Sequence, residues 1–270
     1  MDTKMKNLVL TFHNVTDAIW FEKTIQLIGR FFTYGTLDQL YNRLTNGKDN
    51  TPRNMCFITF DDGERSVYEV VYPIIKRLNV PIAMFVSPWN IREGGGAFWF
   101  QRMRVLAPHD MESMKTLSLE EMMARINQLD PQGRSNTNVN INMQMFEELY
   151  ASGLVTFGAH TQHHPILANE SDVVAEQEMV DSIKQLSDAL GHSVRYFAYP
   201  NGSTKDFSRR EIKILQESGI HMAFSTINGY ADNTDLFRIK RVGITKGNRL
   251  HVFLKVLFPN LFMWLKTLKQ

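Results

Sequence analysis

The sequence predicts an α/β fold, a sheet of parallel strands joined by crossover helices, and three observations predict it. Short apolar runs rich in β-branched and aromatic residues recur along the chain, amphipathic stretches with a 3.6-residue stripe lie between them, and glycines stop two of those stretches. Strand and helix in alternation imply parallel strands with right-handed crossovers. Periodicity alone does not choose between an open sheet and a closed barrel.

The expected strands are Leu8–Phe12, Cys56–Phe60, Ile82–Val86, Leu154–Phe157, Tyr196–Ala198 and Met222–Thr226. A first helix is expected over Ser66–Leu78, where Val67, Val70, Val71, Ile74, Ile75 and Leu78 share a face. A second covers Asp172–Leu190, with Val173, Val174, Met179, Ile183, Leu186 and Leu190, and stops at Gly191, a residue suited to a C-terminal cap. A third runs over Ser208–Ser218 and ends at Gly219. The stretch from about residue 90 to 142 departs from this rhythm. It holds Gly94-Gly95-Gly96, an amphipathic run Leu119–Leu129 and an asparagine-rich polar tract Pro131–Asn140. It reads as an insertion with one or two helices and a mobile loop. No internal repeat is visible.

Composition bounds the rest. At 270 residues, 43% hydrophobic and 21% charged, the chain fits one globular domain with an insertion, and wholesale disorder is excluded. Thirty basic against twenty-eight acidic residues give a net charge of +2, which argues against a dedicated nucleic-acid protein. The single cysteine, Cys56, excludes an internal disulfide framework. The first apolar run, Leu8–Phe12, falls short of the roughly 7–15 residues of a signal peptide's apolar region. No run approaches the ~20 residues of a membrane span. A cytoplasmic location is therefore expected.

Two motifs carry chemistry. Thr59-Phe60-Asp61-Asp62-Gly63 sets adjacent carboxylates directly after a strand, where α/β folds place their ligands. Close carboxylates repel and call for a cation or a shared proton; a solvated turn is the alternative. His160-Thr161-Gln162-His163-His164-Pro165 gathers three of the eight histidines within five residues, again after a strand. Gly158 and Pro165 disfavour a helix there, so His160 and His164 belong to a loop folded back on the strand end. One Asp and two His supply three protein ligands, leaving a position for water on a catalytic zinc. The second Asp is then free to act as general base.

These motifs resemble those of the polysaccharide deacetylases that share the NodB homology domain, carbohydrate esterase family 4. The family's TFDDG motif stands intact at Thr59–Gly63 and its H-[ST]-x-x-H-P motif at His160–Pro165. The resemblance covers about residues 7 to 244 and implies a single distorted (β/α) barrel of about seven strands. It implies Asp61 as base and Asp62, His160 and His164 as ligands of one divalent ion, zinc first, with cobalt, nickel or iron suiting the same donors. His163 falls on a variable position. The third motif is altered, Ala198 and Asn201 standing where an arginine and a tyrosine are usual. Asn201 still offers a backbone N–H to an oxyanion, and Tyr199 and Pro200 fall in the substrate-binding set. Arg241 resembles a late arginine that can replace the missing one beside the catalytic Asp; a solvated basic stretch is the alternative. No Leu-x-His motif closes the chain, and Leu250-His251 does not supply one. His13, at the end of the first strand, resembles the N-terminal histidine of permuted members and is expected to be the general acid, with a capping or packing role as the alternative.

Trp89, Phe98, Trp99 and Phe100 cluster near the triple glycine. These aromatic side chains, with Trp89 and Trp99 in the substrate-binding set, are expected to line a glycan groove, or the group packs the insertion on the barrel. The apolar segment 250–268 is broken by Pro259. It closes the barrel, forms a dimer contact or lies in the membrane interface. The expected organisation is a catalytic domain over 1–249, with the insertion at 90–142, and an apolar helical segment over 250–270. The expected function is removal of the N-acetyl group from an N-acetylated sugar in a glycan or glycan precursor. A related amide or ester hydrolase of small substrates and a non-catalytic glycan binder are the rivals.

Overall fold

A computed structural model describes residues 6–46, 52–248, 252 and 254–256. The strands are β1 (Lys6–Phe12), β2 (Thr33–Tyr34), β3 (Asn54–Phe60), β4 (Ile82–Val86), β5 (Val155–Ala159), β6 (Tyr196–Ala198), β7 (Met222–Phe224) and β8 (Val242–Gly243). The helices are α1 (Ala18–Ile28), α2 (Leu37–Asn46), α3 (Tyr72–Leu78), α4 (Pro88–Arg92), α5 (Trp99–Leu106), α6 (Met111–Met114), α7 (Leu119–Leu129), α8 (Met143–Ala151), α9 (Asp172–Leu190) and α10 (Arg209–Glu217). All paired strands are parallel, in the order β7-β6-β5-β4-β3-β1-β8, with β2 on the free lower edge of β3. A single parallel bridge between Phe224 and Ile239 brings the segment leading into β8 back toward β7. The fold is a distorted (β/α) barrel.

The sheet is buried on both faces, which is why its strands read as near-continuous apolar runs. Leu8, Leu10, Phe12, Ile58, Phe60, Met84 and Val86 pack under the helices. The alternate residues Val9, Phe57, Ala83 and Phe85 join Tyr196, Met222 and Phe224 in the barrel interior. This is the two-residue side-chain period of a strand. The expected helix over Ser66–Leu78 contains a π-turn, Val67–Val71, before α3. Pro73 has no N–H to continue the helical ladder, and Tyr72 N–H reaches back five residues to the Val67 carbonyl. α9 spans the expected residues and ends at Gly191 with φ 72°.

The insertion holds more helix than expected. α5, α6 and α7 build a core of their own from Phe98, Trp99, Phe100, Met103, Met114, Met122, Ile126 and Ile166. Its polar tract is held by side-chain bonds to the backbone, which leave no apolar rhythm in sequence. The Asp130 carboxylate accepts from the N–H groups of Arg134 and Ser135, and the Asn140 side-chain amide donates to the Gly96 carbonyl at 2.7 Å. Among the described residues no helix is long and apolar enough to cross a membrane. The apolar segment expected over 250–268 lies outside the described residues except at 252 and 254–256.

Strand register positions the site. Phe12 stands opposite Phe60, Val86 opposite Ala159, and Ala159 opposite Phe197. The chain therefore leaves β1 and β3 at one level of the carboxyl edge, β5 runs two residues further with β6 beside it, and His13, Asp61, His160 and Tyr199 emerge around one opening.

Candidate active site

The cavity at that opening has a volume of about 260 Å³, just below the usual range of small-molecule pockets. His13, Asp61, Asp62, His160, His164, Tyr199 and Asn201 line it from the strand ends. Trp99, Phe100, Arg104, Met111 and Lys115 line it from the insertion.

Asp62, His160 and His164 are all buried, and their ligating atoms lie within 4.8 Å of one another. His160 Nε2 is 3.4 Å and His164 Nε2 3.3 Å from Asp62 Oδ1. His160 Nδ1 stands 2.7 Å from the Ala198 carbonyl oxygen, so the proton of the neutral ring belongs on Nδ1 and Nε2 turns its lone pair toward Asp62. Asp62 Oδ1 is buried without a hydrogen-bond partner among the described residues. Lone pairs that converge on a buried carboxylate oxygen repel one another unless a cation lies between them. The donor set thus fits a divalent ion on its own chemistry.

Backbone geometry holds these donors in place. Among the described residues, the non-glycine residues with positive φ are Asp62, Asn79, Thr161, His164 and Asn201, and all but the helix cap Asn79 belong to the site motifs. Thr161 at φ 63° is β-branched and disfavours that region strongly. Its hydroxyl accepts from His164 N–H, which helps to offset the strain. Glu178 on α9 fastens the same loop. Its carboxylate accepts from the N–H groups of Gln162 and His163 at 3.0 and 2.8 Å and lies 2.6 Å from His163 Nδ1. Glu178→Ala is expected to loosen the loop that carries His160 and His164 and to weaken metal affinity by less than the about 10–100-fold that removing a direct partner of a ligand costs, because Glu178 holds Gln162 and His163 rather than a ligand; a metal titration followed by calorimetry checks it.

Arg241 is fully buried, which overturns its alternative reading as part of a solvated stretch. Its guanidinium donates two 2.7 Å hydrogen bonds to Asp61, one to each oxygen, and its Nε donates to the Ser225 carbonyl. Burial pushes the Asp61 carboxyl up, but the Arg241 charge, with His160 beside it, outweighs that and holds the carboxyl below its ordinary value. His13 is exposed at the rim. No described residue accepts a hydrogen bond from the Asn201 backbone N–H, while its side chain is tied to Asp206 at 2.7 Å.

The sequence profile of the polysaccharide deacetylase family matches residues 48–223. The chain belongs to this family. Polysaccharide deacetylases are hydrolases of carbon–nitrogen bonds other than peptide bonds. The poly-beta-1,6-N-acetyl-D-glucosamine N-deacetylase of Staphylococcus aureus (strain MSSA476) is 22% identical over 186 residues, 66% of this chain and 50% of the relative. Its counterpart from Staphylococcus epidermidis (strain RP62A) is 22% identical over 204 residues, 72% of this chain and 56% of the relative. The chain spans about half the length of the curated relatives it matches. Among solved structures, IcaB from Ammonifex degensii has a TM-score of 0.69 at 20% identity, covering 92% of this chain and 96% of that one. The Streptococcus pyogenes deacetylase PplD, solved with acetate, has a TM-score of 0.68 at 18% identity, covering 94% and 99%. These likenesses establish the deacetylase fold.

His13 and Arg241 lie outside the stretch that the deacetylase profile matches, and the barrel brings both to the motif residues. The expected substrate-binding residues divide. Trp99 lines the cavity, but its indole N–H is committed to the His164 carbonyl at 2.7 Å. Tyr199 lines it too, with its hydroxyl turned away to the Phe237 carbonyl and its ring stacked on Phe207 at 3.8 Å. Trp89 and Pro200 do not line this cavity: Trp89 packs on His163 at 4.4 Å, and Pro200 is buried. Phe100, part of the expected aromatic group, lines it as well, while Arg104, Met111, Lys115, Ile166 and Thr226 line it without having been expected, since no motif marks them. Glu178 did carry a signal, a carboxylate on the buried face of α9 beside Ala175, Met179 and Ser182.

Proposed function

We propose that the chain is a metal-dependent deacetylase that hydrolyses the N-acetyl group of an N-acetylated sugar in a polysaccharide or glycan precursor. The observation that carries this reading is the buried Asp62–His160–His164 group sharing one cavity with an Arg241-clamped Asp61. Asp62, His160 and His164 would hold one divalent ion, with zinc expected first. The chemistry such an ion supplies is polarisation of the acetamide carbonyl and acidification of water.

The chain's own residues do the rest. An Asp61 oxygen takes the proton of the attacking water as general base. Arg241 keeps that carboxylate ionised and fixes its plane, yet occupies only one acceptor direction on each oxygen, leaving another for water. The Asn201 N–H is the donor assigned to the developing oxyanion. His13 at the rim delivers a proton to the departing amine nitrogen, so amide and water become acetate and free amine. Trp99 and Tyr199 act as apolar walls and exclude water. The domain over 1–249, with the insertion at 90–142 as one wall, carries all of these groups. The curated relatives' printed activity makes β-1,6-linked N-acetylglucosamine oligosaccharides the first substrate to offer.

Metal content and acetate release on those oligosaccharides, measured for the native chain and for His160→Ala, test the reading. About one divalent ion per chain is expected in the native protein and none in the variant, with acetate release lost in parallel. A native chain that binds no zinc, cobalt, nickel or iron supplied in excess overturns it.

A further inference from the structure

The insertion wall of the cavity carries charge that a neutral N-acetylglucosamine polymer does not use. Arg104 lines the cavity, is exposed, and has no carboxylate within ion-pair distance among the described residues. Its guanidinium lies over the Phe100 ring at 5.1 Å, and the same ring packs against His164 at 4.6 Å. One aromatic ring therefore contacts both a proposed metal-ligand imidazole and an unpaired cation. Lys115 lines the same wall, with part of its charge met by the exposed Glu112 at 2.8 Å. The carboxylates nearby form no ion pair with these cations: Asp61 is neutralised by Arg241, Asp62 is enclosed by the two histidines, and the buried Glu64, which feels the Arg104 charge at a distance, accepts its hydrogen bonds from Asn14 and Gln101.

A guanidinium resting on an aromatic face is oriented at small entropic cost and keeps its in-plane N–H donors free. That fork matches an oxyanion, carboxylate or phosphate, by paired charge-assisted hydrogen bonds. Resting on the deacetylase reading above, we propose that the substrate is an acidic N-acetylated glycan, whose carboxylate or phosphate sits on Arg104, supported by Lys115, while the N-acetyl group enters between His13 and Asp61. Arg104 is thereby a specificity-determining residue, and the insertion rather than the barrel selects the substrate.

Binding measured by calorimetry on the zinc-loaded native chain tests this without any need for turnover. The probes are a neutral N-acetylglucosamine oligosaccharide, one of equal length alternating N-acetylglucosamine with glucuronate, and the pair N-acetylglucosamine and N-acetylglucosamine 1-phosphate. An acidic probe is expected to bind about tenfold tighter than its neutral partner at low salt, an advantage that shrinks as salt rises. Arg104→Gln is expected to bring that ratio close to one and Lys115→Gln to lower it partway. The uronate and phosphate pairs tell which oxyanion the wall prefers. Equal binding of acidic and neutral probes to the native chain, or a preference that survives both substitutions, overturns the proposal. Acetate release from the same probes reads the deacetylase assignment separately: acetate from a neutral probe with no acidic preference sinks the subsite alone, while acidic preference without acetate from any probe sinks the activity alone.

Discussion

Asp61→Asn should slow acetate release by about two to four orders of magnitude, the range a positioned general base supplies, while the chain still binds about one divalent ion. The two halves of that result come from different parts of the site. Asp61 contributes no atom to the Asp62–His160–His164 group, and both of its oxygens are engaged by Arg241. Asparagine keeps the shape and loses the ability to accept a proton from water. It also sets an amide NH₂ against the guanidinium, so the loss should appear in kcat with metal content unchanged, once thermal melting has shown the variant to be folded. Loss of metal along with activity would mean that Asp61 and Asp62 do not divide the work as assigned. A variant with undiminished binding and no activity to lose would favour the glycan-binding alternative. Because Arg241 holds Asp61 ionised below the ordinary carboxylate range, the native enzyme's rate should not fall with Asp61 protonation at any pH near neutrality.

Arg241→Gln should cost about 3–5 kcal/mol of stability at neutral pH, because it strands a carboxylate in the interior without its cation. Asp61 is 2% exposed and Arg241 0%, so water cannot take the guanidinium's place cheaply. In the native chain the folded-state value of Asp61 lies below its unfolded value of about 3.9, so the pair's contribution is complete above that pH and is lost only as pH falls through the lowered folded value. In the variant the Arg241 charge and hydrogen bonds are gone and only the neighbouring histidines oppose burial, so the carboxyl rises above its native value. The folded state then takes up a proton as pH falls, which relieves the buried charge. The deficit relative to the native chain should therefore be largest at neutral pH and shrink toward pH 5, and melting curves of both metal-free proteins at the two pH values read it. A deficit that is the same at both would place the damage in packing against Phe85 and the Ser225 carbonyl rather than in the charge of Asp61.

Much of this was legible in the chain. Ile82–Val86 and Tyr196–Ala198 form strands over the residues their apolar runs mark, and α7 and α9 span their amphipathic stripes. The two intact motifs brought Asp62, His160 and His164 together as expected. Other elements left weaker traces. β8 is two residues long and β2 likewise, too short for any period to register. The aromatic residues of α5 suited a groove or a packing role equally in sequence, and Phe98, Trp99 and Phe100 mostly build the insertion's own core.

The sequence by itself determined the parallel α/β alternation, the Asp–His–His cluster and the carboxylate pair, because each rests on a local pattern: a side-chain period, or residues a few positions apart at one strand end. Only the tertiary structure decided which distant groups serve them. Arg241 meets Asp61 across 180 positions, and His13 joins the same cavity from the first strand. Parallel pairing with level registers brings those strand ends together. It also decided that Trp89 leaves the cavity for His163 while Arg104 and Lys115 enter it. A side chain's direction in an inserted helix is set by the core that the helix packs against, and no local spacing encodes that.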